Sequence, residues 1–198
     1  GVWRQNDAAC NRAAAAVGVA PAVFYADSSA IVVNYVDGRT YGPADVRDDA
    51  NLSKILPLIR RTHGEAYRSL RGPVCAFWPF RVCRDYGLYL EKHGSRPASE
   101  INKLRMLNDR LERIVGPVDI VLGHNDLLAA NFIDDGMRLW LIDWEHAGLS
   151  SPLFDLANLS SNNGLSEAQD TWLLETYLER AGDSLLRHLY QGFMVVAS

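Results

Sequence analysis

The sequence predicts an α+β fold, in which helices surround a little β-structure, and three observations predict it. Two β-branched and aromatic runs, Ala22–Ala26 and Ile31–Val36, flank the turn residues Asp27, Ser28 and Ser29. A second pair of short apolar runs, Phe132–Ile133 and Leu139–Ile142, flanks Asp134-Asp135-Gly136, a hairpin signal. Most of the chain after Pro43 carries apolar residues at helical spacing.

Taken in order, Asp7 to Val17 reads as a helix rich in alanine and closed by Gly18. The first strand pair follows, and Asp37-Gly38-Arg39 ends that unit. Leu52–His63 is amphipathic and expected to stop at Gly64, with Pro57 predicting a kink or an early break. Arg81–His93 and Ser99–Val115 are expected helices, with Gly94 and Gly116 as stops. Ser166–Arg180 and Ser184–Val195 complete the set, Ser166 and Glu167 suiting a helix start.

Composition narrows the function. The chain has 198 residues, 48% of them hydrophobic, enough for one domain or one large lobe with part of another. It contains no apolar run of membrane-spanning length and no signal-peptide pattern. A net charge of -4 offers nothing to a nucleic-acid backbone. The three cysteines, Cys10, Cys75 and Cys83, have no metal spacing, and an odd number favours free thiols in a reducing cytoplasm.

The chemistry is concentrated between Leu122 and Leu156. His124, Asp126 and Asn131 form an H-x-D-x-x-x-x-N segment, and the hairpin then leads to Ile142-Asp143-Trp144-Glu145. This order of acid, amide and second acid suits phosphoryl transfer, where positioning and charge neutralisation dominate. Asp126 is placed to orient an acceptor hydroxyl and take its proton. Asn131 and Asp143 offer an amide oxygen and a carboxylate to Mg2+, a hard cation that prefers oxygen. The hairpin brings them to the same end. His124 is read as structural, holding the loop backbone.

These segments resemble the choline/ethanolamine kinase family, within the aminoglycoside-phosphotransferase-like small-molecule kinases. The resemblance rests on H-N-D-L-L-A-A-N (124–131), L-I-D-W-E (141–145) and F-D-L-A-N (154–158). Weaker matches are R-Q-N-D (4–7), V-A-P-A-V-F-Y-A-D (19–27), Y-V-D-G-R-T (35–40) and L-I-R-R-T-H-G (58–64). It implies a protein-kinase-like fold, mainly the helical C-terminal lobe with its catalytic hairpin, and most of the N-terminal β lobe absent. Residues 1–36 would then be the remnant of the nucleotide lobe, and 37–198 the catalytic and substrate lobe. ATP and Mg2+ are the implied cofactors, with adenine meeting backbone groups at Asn34, Tyr35 and Val36. Arg4 and Asp7 fall on the family's R-x-N-E segment, Asp7 standing where a Glu is expected. The first lysine is Lys54 and no Gly-rich loop precedes Asp7, so the resemblance implies a chain truncated at both ends and inactive by itself.

The implied acceptor is a small cationic alcohol, choline or ethanolamine, with thiamine or another substrate of the superfamily as the alternative. From another class, a nucleotide- or choline-binding module without catalysis stays open. A cation of this kind wants aromatic faces and carboxylates. Glu145, two residues after Asp143, points the same way if the segment is extended. Asp155 has two readings: acceptor of hydrogen bonds from the loop backbone, as the resemblance suggests, or direct substrate contact. Trp78, in the expected loop Phe77-Trp78-Pro79-Phe80, is the aromatic candidate.

Overall fold

Residues 3–94, 97–179 and 184–197 are described by the computed structural model. Helix α1 (Arg4–Ala16) begins a turn earlier than expected and ends at Gly18, whose φ of 72° is the left-handed value such a stop needs. Strands β1 (Val23–Ala26) and β2 (Ile31–Val33) pair antiparallel. Their turn is held by Asp27, whose Oδ1 accepts from the backbone N–H of Ser29 and Ala30 at 2.7 and 2.9 Å.

The short β3 (Arg39–Thr40) leaves this unit and joins a second sheet of order β3-β5-β6, with β5 at Phe132–Asp134 and β6 at Leu139–Leu141. The expected hairpin is therefore present, registered Phe132 to Leu141 and Asp134 to Leu139, with Gly136 at φ 84° in its turn. A separate antiparallel pair joins β4 (Val121–Gly123) to β7 (Gly148–Ser150).

Helix α2 (Pro43–Val46) is a single turn, and α3 (Asp49–Arg61) starts at Asp48, whose carboxylate accepts from Asn51 N–H at 3.0 Å. Pro57 does not stop α3. Nor does Gly64: its φ is not left-handed, and the chain widens into a π-helical turn, Thr62–Ala66, before the short α4 (Tyr67–Ser69). Helices α5 (Pro79–Lys92) and α6 (Ala98–Val115) match expectation to within two residues at each end. Helix α7 (Pro152–Asn163) has no counterpart among the expected helices. Helix α8 (Glu167–Leu178) starts with a capping box between Ser166 and Gln169, and α9 (Ser184–Ala197) follows. Arg180, included in the expected helix, lies outside the described residues.

The core is built on α7. Phe154 faces Phe193 of α9 and Phe77, with ring centroids 6.0 and 5.5 Å apart, and Phe80 of α5 meets Phe193 at 5.7 Å. Phe80, Phe193, Leu156 and Leu159 are fully buried. Each such side chain contributes about 1.5–3 kcal/mol. Fixing α7 in the centre matters for function, because its polar residues hold the loop described next.

Candidate active site

The 124–131 loop leaves β4, passes a 3-10 turn at Ala129–Asn131 and enters β5. Asp155 of α7 anchors its start. Its Oδ2 accepts from His124 N–H at 2.8 Å and its Oδ1 from Asn125 N–H at 2.7 Å. Two turns of α7 continue the grip. Asn158 Oδ1 accepts from Leu127 N–H at 2.5 Å, and Asn163 Nδ2 donates to Leu127 O at 2.9 Å. Asn125 itself sits at φ 65°, a conformation Asn tolerates better than most residues.

His124 ties this loop to the second half of the hairpin. It is buried, its Nε2 donates to Ile142 O at 2.9 Å, and its Nδ1 accepts from Asp126 N–H at 3.3 Å. Trp144 closes over it edge-on at 4.8 Å. Burial pushes its pKa below the usual value, so the ring is neutral with the proton on Nε2. A second tie lies one rung beyond the ladder, where Ile142 N–H donates to Asn131 O at 3.0 Å.

These ties bring the three expected phosphoryl-transfer residues into one region. Asn131 Nδ2 donates to Asp126 O at 2.8 Å and reaches Asp126 Oδ2 at 3.4 Å. That orientation turns the amide nitrogen toward Asp126 and leaves the amide oxygen to be offered elsewhere. Asp143, immediately after Ile142, is exposed, and its carboxylate has no hydrogen bond or ion pair among the described residues. It sits at φ 64°, one of three non-glycine residues with positive φ among those described, with Asn125 another. A backbone strained by roughly 1–3 kcal/mol at a residue without a protein partner is a feature of functional sites. The donor set fits a hard cation: one carboxylate and one amide oxygen, with the rest of the shell left to phosphate and water.

The remaining expected residues fall differently. Asp155 is 1% exposed, and besides the two backbone donors its Oδ2 pairs with His63 Nε2 at 2.9 Å. It presents no face to a substrate, so the reading as a direct contact is corrected to that of a loop anchor. Burial alone would raise its pKa, but the donors around it outweigh burial and hold it below the usual value.

Pro79 and Phe80 open α5, and Trp78 lies outside helix and strand, as expected. It is the residue before the first turn of α5; its indole N–H donates to Glu112 of α6, and its ring packs on Phe80 and Phe193 at 5.3 and 6.1 Å. A wedge between three helices cannot form the wall of an open pocket, and the expectation for Trp78 is corrected accordingly.

Glu145 is half-exposed and lies 3.6 Å from His146 Nε2, in a cleft of about 340 Å3 shared with Trp3 and Phe77. The alternation argument fails here, because Asp143 is left-handed and Trp144 O accepts from Ala147 N–H at 3.0 Å to close a turn. Asn34, Tyr35 and Val36 line another cleft, of about 430 Å3, with Pro21, Asp37 and Trp140. Asn34 N–H is already given to Ala22 O at 2.9 Å, whereas Tyr35 is 88% exposed. Asp7 is buried and pairs with Arg4 at 2.9 Å within the same helical turn.

Four supporting residues carry roles the sequence reading did not assign. His63, Asn158 and Asn163 are buried hydrogen-bonding residues around the loop. Asn6 of α1 donates to Ala147 O at 2.8 Å and accepts from Cys75 N–H at 2.7 Å, joining α1 to the turn after Asp143. The signal was a polar residue on an otherwise apolar helix face, which in a core demands a partner.

The profile of the choline/ethanolamine kinases matches residues 2–172, and the chain belongs to that family. Protein LicA of Haemophilus influenzae is 30% identical over 166 residues, covering 82% of this chain and 61% of the relative. A choline/ethanolamine kinase family protein from Mesorhizobium loti superposes with a TM-score of 0.76 at 27% identity, over 99% of this chain and 68% of that one. A LicA structure in complex with AMP superposes with a TM-score of 0.72 at 22% identity, over 99% of this chain and 71% of that one. The chain thus spans about three-fifths of the length of the H. influenzae relative. The fold is protein-kinase-like, and no helix of the described residues is long and apolar enough to cross a membrane.

Proposed function

We propose that the protein is a phosphotransferase that moves the γ-phosphoryl group of ATP to the hydroxyl of a small cationic alcohol, choline or ethanolamine. The observation that carries this reading is the shared anchoring of Asp126, Asn131 and Asp143 through His124 and Ile142. Asp126 accepts the hydroxyl proton as the oxygen bonds to phosphorus and the bond to the departing ADP oxygen breaks. Asn131 and Asp143 would hold Mg2+, which when bound neutralises phosphate charge. Asn131 also donates to Asp126 and so restrains it beside the metal ligands. The Asn34 carbonyl and the backbone groups of Tyr35 and Val36 are offered to adenine, and the AMP complex of a LicA supports a nucleotide ligand for the family. In this reading residues 1–36 belong to the nucleotide lobe and 37–198 to the catalytic lobe. Glu145, with Trp3 and Phe77 in the same cleft, supplies negative charge and aromatic surface to the acceptor cation.

The test is product formation. The full-length protein is incubated with Mg-ATP and choline, ethanolamine or thiamine, and phosphomonoester is followed by 31P NMR. The expected product is the choline or ethanolamine ester. Transfer to thiamine alone would replace the acceptor, and nucleotide binding without transfer to any alcohol would favour a binding module.

A further inference from the structure

We propose that Tyr177 and His63 are positioning residues for the loop that carries Asp126, acting through Asp155 as a relay of hydrogen bonds. The proposal rests on the reading of Asp126 given above only for its kinetic consequence.

The observation is a polar chain that runs from the half-buried Tyr177 to the buried His63 and Asp155. Tyr177 Oη lies 2.8 Å from His63 Nδ1, and His63 Nε2 lies 2.9 Å from Asp155 Oδ2. Asp155 then receives the N–H groups of His124 and Asn125. The two rings meet edge-on with centroids 5.5 Å apart. His63 points inward because it lies in the π-helical turn, whose Thr62, His63 and Ala66 are all buried. Arg60, three residues earlier, fixes the other end by donating to Tyr177 O at 3.0 Å and to Thr176 O, the last carbonyls of α8. The end of α3 therefore clasps the end of α8 and reaches the loop at the same time.

Satisfying every group in this chain sets the direction of the protons. The Asp155 carboxylate only accepts, so His63 Nε2 carries a hydrogen. Tyr177 has no other acceptor for its hydroxyl among the described residues, and burial pushes its pKa up to about 12. Its O–H therefore donates to Nδ1, and the His63 hydrogen sits on Nε2. Three donors fix the plane of the Asp155 carboxylate, and that plane fixes the two peptide N–H groups just ahead of Asp126. Remove the tyrosine hydroxyl, and Nδ1 becomes an unpaired buried acceptor. The imidazole then gains by changing tautomer or turning, which withdraws its bond to Asp155.

The test joins a spectroscopic readout to a kinetic one. In the unaltered protein, 15N shifts of the His63 ring should show a bare Nδ1 and a protonated Nε2. Tyr177→Phe, which keeps the ring, should speed hydrogen exchange at the His124 and Asn125 amides. It should also lower kcat about tenfold with the ATP KM within about twofold, the split expected of misplacement. His63→Gln, which keeps an N–H for Asp155, should protect those amides better than His63→Ala. A protonated Nδ1 in the unaltered protein overturns the relay. So do unchanged His124 and Asn125 amides in Tyr177→Phe, or equal exchange in His63→Gln and His63→Ala. If Tyr177→Phe does not fold, the tautomer and the His63 pair decide. If the unaltered protein transfers no phosphoryl group, the functional reading fails while the tautomer and exchange results still judge the relay.

Discussion

His124 Nε2 lies 2.9 Å from the carbonyl oxygen of Ile142, and this bond joins the loop bearing Asp126 to the strand end bearing Asp143. Neither acid depends on the other directly; each is held by its own backbone, and the imidazole sets the spacing between the two segments. The geometry of the site is therefore a property of buried groups, whereas its chemistry belongs to the exposed ones. The two kinds of residue should respond differently to substitution.

Asp126→Ala should lower kcat by roughly 10²–10⁴ with little change in ATP affinity, as for a positioned proton acceptor. Asp126 is only partly exposed, but its carboxylate makes no short protein bond, so the melting temperature should hardly move. Steady-state kinetics alongside a thermal melt checks both parts; near-normal turnover would remove Asp126 from the mechanism.

Asp143→Gly should separate stability from function. Glycine accepts the positive φ of 64° without the steric cost an L-residue carries, so the variant should be unchanged or more stable, by up to about 1 kcal/mol. It should nevertheless lose turnover, having lost the carboxylate. Urea midpoints and the product assay on one preparation suffice; a destabilised variant would show that Asp143 has a structural partner.

Asp155→Asn should destabilise by about 2–4 kcal/mol, because a neutral amide replaces a buried carboxylate that three N–H donors converge on. Acid should imitate this in two stages. His124 has a folded pKa below its unfolded value, so its contribution is full above about 6.5 and is lost as pH falls below that. Asp155, also depressed in the folded state, loses its contribution below about 4, as pH falls through its folded pKa. Urea midpoints from pH 8 to 3 should fall in both windows, and Asp155→Asn should flatten the lower one.

Trp78→Phe should cost stability, about 1–3 kcal/mol, through the lost packing on Phe193 and the lost indole bond to Glu112, which keeps its pair with Arg84. The acceptor KM should not change. A raised KM for choline at unchanged stability would return Trp78 to the substrate site.

What the sequence disclosed follows from physics. The H-x-D-x-x-x-x-N spacing and the Asp134-Asp135-Gly136 turn are local, so the hairpin and the pairing of Asn131 with the start of the Asp143 segment were legible. Helix α7 was not, because Leu153 to Ser160 is buried on every side and such a helix has no polar face to give a period. The substrate reading of Asp155 and Trp78 failed for a related reason. An acid and an aromatic look functional in sequence, and only the fold shows Asp155 filled by backbone donors and Trp78 by three helices. Gly64 misled as a stop because the π-helical turn absorbed it. Glu145 misled because one left-handed residue, Asp143, cancels the strand alternation.

The most direct test of the account is calorimetric titration of ATP into the protein with and without Mg2+, repeated on Asp143→Ala. Asn131 and Asp143 as the metal ligands require tighter binding with Mg2+, and require that this gain disappear in the variant. Equal Mg2+ dependence in both proteins would contradict the assignment of Asp143, and with it the phosphoryl-transfer site built around Asp126, Asn131 and the hairpin.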